Sequence, residues 1–195
     1  MVRGPVHVRD ASAQDAPALV GVWGSGRAPG HDGSPPVSDE AATSLARIDA
    51  DPDQRLLVAL VEDQVAGAAH LTRGPLTPLT RDMAVFVGHL QVVEGMRRHG
   101  VGRALIEATV TWAEEKNTPH VLAAAAVTSR DANRFMARLG FGQIAVIRGA
   151  TVAALRAKLP VEPPAVARIG ARSNRNVGQV LVRRRSLRRS QARPT

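Results

Sequence analysis

Residues 85–117 read VFVGHLQVVEGMRRHGVGRALIEATVTWAEEKN, and their reading decides the fold. The stretch opens on an apolar, β-branched run, crosses a short polar loop with two glycines, and closes in an apolar pattern of helical period. The loop is Arg97-Arg98-His99-Gly100-Val101-Gly102, followed by Arg103. Strand, glycine-bearing loop and helix in succession turn backbone N–H groups and a helix N-terminus toward one anion. Gly100 and Gly102 let the backbone approach a phosphate with no Cβ in between. The competing reading is a basic turn whose glycines serve only chain geometry. Against it, three arginines around two glycines repel one another unless an anion lies between them.

Toward the N-terminus, residues 6–9 alternate as a short strand. Asp10, Ala11 and Ser12 offer caps for a helix over 14–23, with Ala18, Leu19 and Val22 on one face. Residues 24–36 are rich in Gly, Pro and Ser and form a loop. Residues 38–49 carry Ala42, Leu45 and Ile48 at helical spacing. The apolar runs 56–62 and 64–71, meeting at Asp63-Gln64, predict an antiparallel hairpin, and the Gly/Pro cluster 74–78 breaks the pattern.

Toward the C-terminus, residues 121–127 contain no polar side chain, as a strand covered on both faces allows. Ser129 caps a helix to Leu139, which Gly140 stops. Residues 141–148 read as a returning strand and 151–158 as a short helix. The order β-α-α-β-β-β-α-β-α-β predicts a mixed α/β (α+β) sheet flanked by helices. Pro163-Pro164 marks the expected boundary between a body, residues 1–160, and an extension, residues 161–195. In that extension residues 177–183 add a strand before a solvated tail.

Composition limits the chemistry. The 195 residues suit one domain with an extension, and 44% are hydrophobic but only 3% aromatic, so the core is built from Val, Leu, Ile and Ala. There is no cysteine, which excludes disulfides, thiolate metal sites and a Cys nucleophile, and there is no tyrosine. No apolar run approaches the ~20 residues of a membrane helix, and no signal-peptide pattern opens the chain, so a soluble cytoplasmic protein is expected. Of the 26 basic residues, nine lie from residue 165 onward, all arginine and without an acid among them, leaving 17 against 17 acids elsewhere. The net charge of +9 therefore belongs to the tail, not to the body.

The segment from Leu90 to Ala104 resembles the acyl-CoA-binding motif of the GCN5-related N-acetyltransferase (GNAT) superfamily. Arg97, Gly100 and Gly102 match its Gln/Arg-x-x-Gly-x-Gly/Ala loop. Ala132, Phe135 and Leu139-Gly140-Phe141 fit a second family pattern downstream, and the resemblance covers about residues 5–150. It implies a mostly antiparallel central sheet, splayed at an acetyl-CoA site. The backbone amides of Arg98, His99, Gly100, Val101, Gly102 and Arg103 would hold the pyrophosphate, helped by the charges of Arg97, Arg98 and Arg103. Leu90 to Val93 would part from residues 121–127 so that pantetheine pairs as an added strand. The N–H of Val92 or Val93 would then face the thioester carbonyl. Ser129, Ala132 and Phe135 would complete the cofactor-binding set.

Two departures bear on catalysis. The family's thiolate-protonating Tyr falls at Met136, which reads as a packing residue, and its Asn three residues before Ala132 falls at Ser129. Two alternatives stand: Ser129 protonates or orients the thiolate through its hydroxyl or a water, or the thiolate leaves unassisted near pH ~7–8. The central strand has no carboxylate before Glu94, which leaves His89 as candidate general base and His70 as a weaker one. A structural histidine competes with the catalytic reading. His7, His31, His99 and His120 lack metal-ligand spacing, so no metal is expected. By the same resemblance, the first two helices and the loop between them would wall the amine acceptor; Asp32, Asp39 and Glu40 there would attract a cationic amine, and a solvated loop explains them equally.

Two other functions compete. A non-catalytic acyl-CoA-binding or regulatory protein fits the missing Tyr. A nucleic-acid or ribosome partner would use Arg183-Arg184-Arg185 and Arg188-Arg189, with non-specific electrostatics alone because no aromatic follows Phe141. A solvated tail, or a strand completing a homodimer, explains those arginines equally.

Overall fold

Glu62 and Asp63, both with positive φ (49° and 61°), form the tight turn around which the sheet is built. Two successive left-handed residues suit a two-residue hairpin, whose twist then matches that of its strands. The turn lies in a computed structural model that describes residues 4–24 and 38–159. It joins β2 (Gln54–Val61) to β3 (Gln64–Pro75). β1 (Val6–Asp10) flanks β2, and β4 (Met83–Val92) flanks β3, all antiparallel. β5 (His120–Ala123) closes the order β1-β2-β3-β4-β5 and is parallel to β4. This is the mixed, mostly antiparallel α/β sheet that the sequence predicts.

Helix α3 (Val101–Glu115) covers one face of the sheet. Its buried residues Val101, Leu105, Trp112 and Ala113 recur at helical spacing and meet Leu57, Leu71, Val85 and Val87. Each fully buried Val or Leu among them contributes ~1.5–3 kcal/mol when taken from water. α1 (Ala16–Gly24) and α2 (Ser38–Asp49) cover the other face, burying Leu19, Val22 and Leu45 against Leu56, Val58 and Ala68. A 3₁₀ turn, Ala13–Asp15, leads into α1. Its Asp15 carboxylate accepts from Arg9 (2.7 and 2.8 Å) and from the backbone N–H and hydroxyl of Ser12 (2.7 and 3.0 Å). The Arg9 guanidinium, with Ser12, draws Asp15 down to about 2 despite its burial.

Several element bounds differ from the sequence reading. β3 runs on through Gly74 and Pro75, which pair with Ala84 and Met83 at the last rungs of the ladder, where a missing N–H is tolerated. β5 ends at Ala123 instead of Val127. Beyond one bond from Ala124 N–H to Val87 O (3.3 Å), the chain leaves β4, and the carbonyls of Ala126 and Val127 accept from the Asn133 side chain. The strand expected over 141–148 is absent: residues 141–150 carry no regular structure, and Ile144, Val146 and Ile147 are exposed. An apolar β-branched run supplies side chains but no partner strand, and β5 ends the sheet among the described residues.

The chain divides into two compact units, residues 1–145 and 146–195. The first holds the sheet with α1 to α3 and α4 (Arg130–Arg138). Within the second, α5 (Val152–Lys158) starts on Thr151, whose hydroxyl accepts from Ala154 N–H (3.2 Å). The expected boundary at Pro163-Pro164, the strand over 177–183 and the arginine tail lie outside the described residues.

Candidate active site

The loop into α3 is shaped by two left-handed residues, Arg98 (φ 66°) and Gly100 (φ 86°), the latter being the N-cap. Gly100 adopts this geometry freely; Arg98 does so at a cost of ~1–2 kcal/mol. His99 Nδ1–H donates to Arg97 O (2.9 Å) and braces the turn. Arg97 N–H is used by Glu94 O, and Gly100 O accepts the first helical bond, from Ala104. Among the described residues, the N–H groups from Arg98 to Arg103 donate to no backbone carbonyl. Six consecutive donors without a backbone acceptor, at the positive end of a 15-residue helix, are the arrangement that suits an anion. Arg97 and Arg98 are exposed beside it. Arg103, expected among the charges, instead pairs with Glu107 one turn along the helix (2.8 Å). Both ends of that pair are exposed, so it is worth under about 1 kcal/mol.

The open edge of β4 adjoins this loop. Gly67 pairs with Val92 and His70 with Gly88, so two residues, His89 and Leu90, oppose Ala69 alone. This is a β-bulge, and His89 takes it up with φ 51°. Val93 N–H donates to Ala66 O (2.9 Å), which corrects one of the two expected oxyanion donors: Val93 is committed to β3. Since groups on an antiparallel strand alternate in direction, Val92 N–H and C=O point off the opposite edge. There β5 has already ended, so the sheet is splayed at Val92. Leu90 and Val92 rest their side chains on the α3 side of the core. A Cβ on Gly67 would lie 2.8 Å from Gln91 O and 2.9 Å from Val101 Cγ1, so this glycine seats the start of α3 directly on the sheet.

α4 closes the site from the other motif. A Cβ on Gly102 would meet the Phe135 ring at 3.3 Å, so the two sequence motifs touch. Ser129 Oγ caps α4 by accepting from Ala132 N–H (3.3 Å), and its own O–H remains able to donate. Asn133 Nδ2 donates to Ser129 O (2.7 Å) as well as to Ala126 O (2.9 Å), locking the β5–α4 connection. Met136 is buried, a packing residue as read from the sequence. Gly140 (φ 90°) stops the helix, with Phe141 N–H bonded back to Met136 O (3.1 Å).

On the α1/α2 face, strand pairing sets His70 beside the bulge. His70 Nε2 donates to Gln54 Oε1 (3.0 Å), which leaves Nδ1 as an acceptor. Burial above all, then the neighbouring His89 and Arg47, holds His70 below the ordinary histidine pKa, hence neutral at pH 7. The His89 side chain is exposed, while its carbonyl accepts from Trp23 Nε1 of α1 (2.7 Å). Gly67, Gln54, Trp23 and Asn133 are absent from the sequence-based site. A glycine inside a strand pattern signals close backbone approach and marks Gly67; nothing local marks the other three.

The profile of the Acetyltransferase (GNAT) family matches residues 27–141, and this chain belongs to that family. Solved structures with the same fold include a transcriptional regulator from Bacillus halodurans C-125, at 20% identity and TM-score 0.64, over 76% of this chain and 99% of the other. Glucosamine-6-phosphate N-acetyltransferase from Arabidopsis thaliana gives 12% identity and TM-score 0.64 over the same shares. The aminoglycoside N-acetyltransferase AAC(6')-Iy in complex with CoA gives 18% identity and TM-score 0.63, over 78% of this chain and 99% of that one. A sequence search of curated proteins finds no match.

Proposed function

We propose that this protein transfers an acetyl group from acetyl-CoA to the primary amine of an acceptor, by direct attack within a ternary complex. The observation that carries this reading is the run of six N–H groups from Arg98 to Arg103, without a backbone acceptor among the described residues, beside the open edge at Val92. The run suits a pyrophosphate, with Arg97 and Arg98 adding charge; Ala132 and Phe135 wall the cradle. Leu90 and Val92 offer pantetheine an edge to pair with. The amine nitrogen attacks the thioester carbonyl, forming the C–N bond. The oxyanion takes the Val92 N–H until the C–S bond breaks. His89, with His70 Nδ1 as the nearby alternative, removes the amine proton, and Ser129 O–H orients or protonates the departing thiolate.

The test is calorimetric titration with CoA, followed by dye detection of thiol release across a panel of amines. The panel begins with amino-sugar phosphates and aminoglycosides, the substrates named for two proteins of the same fold, and goes on to peptide N-termini and lysine. Turnover on one class supports the reading. The buried Met136, in place of an acid, favours one second reading, a non-catalytic acyl-CoA-binding protein. CoA binding without turnover on any amine selects that one, and absence of CoA binding overturns both.

A further inference from the structure

We infer that Trp23 is a positioning residue for the transfer step: its indole N–H straps the His89 carbonyl and so holds Val92 N–H on the open edge of β4. The inference rests on the acetyl-transfer reading above and on the register of β3 against β4. Before the bulge, β3 and β4 pair as His70 with Gly88; after it, as Ala68 with Gln91 and Gly67 with Val92. Without the extra residue the first register would continue, and Val92 would fall opposite Ala66. It would then exchange hydrogen bonds with β3, because hydrogen-bonded pairs recur every second residue. A slip of one residue thus exchanges inward for outward N–H groups. The bulge decides whether the edge presents Val92 N–H at all.

That bulge is unfavourable locally. His89 is a non-glycine residue at φ 51°, a conformation that persists only where the surroundings impose it. Its carbonyl is turned out of the ladder, toward α1. The Trp23 Nε1 contact of 2.7 Å is the hydrogen bond that receives it, from an element 66 residues away in sequence. Trp23 also packs on the core formed by α1, α2 and the sheet, so the donor sits on a fixed base. This bond therefore ties the last turn of α1, at the acceptor side, to the thioester side of β4.

Trp23→Phe keeps the ring and removes the donor. The expected result is a kcat lowered about 10- to 100-fold, less than or comparable to loss of an oxyanion donor, with KM for acetyl-CoA unchanged within about twofold. Amide hydrogen exchange at Gln91 and Val93 should quicken while the amides of α3 keep their protection. Adding His89→Gly, which occupies the left-handed region freely, should restore that protection in the double variant. An unchanged kcat overturns the inference, as does a lowered kcat with unaltered exchange at Gln91 and Val93. If the wild-type protein turns over no amine, the acetyl-transfer reading fails by itself, and the exchange measurements still decide whether Trp23 holds the bulge.

Discussion

Replacing Gly67 with alanine should damage both stability and acetyl-CoA binding, through one methyl group. The added Cβ would sit 2.8 Å from Gln91 O and 2.9 Å from Val101 Cγ1, with Val92 Cα at 3.4 Å. An ordinary carbon contact needs ~3.5 Å or more, so β4 or the first turn of α3 must move by roughly half an ångström. Gln91 O is backbone in a hydrogen-bonded ladder, and Val101 is almost wholly buried, so neither yields cheaply. Overpacking of this kind costs ~1–3 kcal/mol. The loss of a glycine from the unfolded chain offsets ~0.4–1 kcal/mol of that. The net is about 1–2 kcal/mol, or a Tm lowered by roughly 2–8 °C for a domain of this size. Because the Val101 N–H belongs to the proposed pyrophosphate cradle, its displacement should also raise KM for acetyl-CoA several-fold. Gly95→Ala is the control, since a Cβ there meets nothing within 4 Å. Thermal denaturation and steady-state kinetics on both variants provide the measurement. A Gly67→Ala protein with Tm within 1 °C of wild type and the same KM would refute the claim that Gly67 seats the cradle.

Two further outcomes follow from the same geometry. His89→Ala should lower kcat at pH 7 by about 10²–10⁴-fold with CoA affinity kept, the range for loss of a general base. Alanine carries a similar left-handed penalty, so stability should barely change, and unchanged turnover removes His89 from the chemistry. Asp15→Asn should destabilise the fold at pH 7 by ~1–2 kcal/mol, after allowance for the part-exposed Arg9. The folded pKa of Asp15, about 2, lies below its ordinary 3.8. Its contribution is therefore complete above pH 3.8 and fades as pH falls toward 2. Denaturant melts of both proteins between pH 7 and pH 2 should converge, and a gap that stays constant with pH would sink the argument.

The strand–loop–helix at residues 85–117 and the helix ending at Gly140 were readable from sequence because their signals are local. Glycines at Gly100 and Gly140 fall where φ is positive, Ser129 falls at a cap, and apolar spacing in α3 matches the face that is buried. The β2–β3 hairpin was legible from its apolar runs alone, although its turn is Glu-Asp rather than an Asn-Gly type. Strand lengths were not, because a strand ends where its partner ends: apolar residues 125–127 leave β4, and 141–148 find no partner strand among the described residues. The site was half visible for the same reason. Composition and spacing determined a glycine-bearing loop at a helix start and the absence of cysteine and tyrosine chemistry. Only the tertiary structure decided which amide faces the open edge, since a one-residue bulge at His89 assigns Val93 N–H to Ala66 and leaves Val92 outward. Pairing register and the Trp23 contact join residues far apart in the chain, and no local pattern of side chains encodes them.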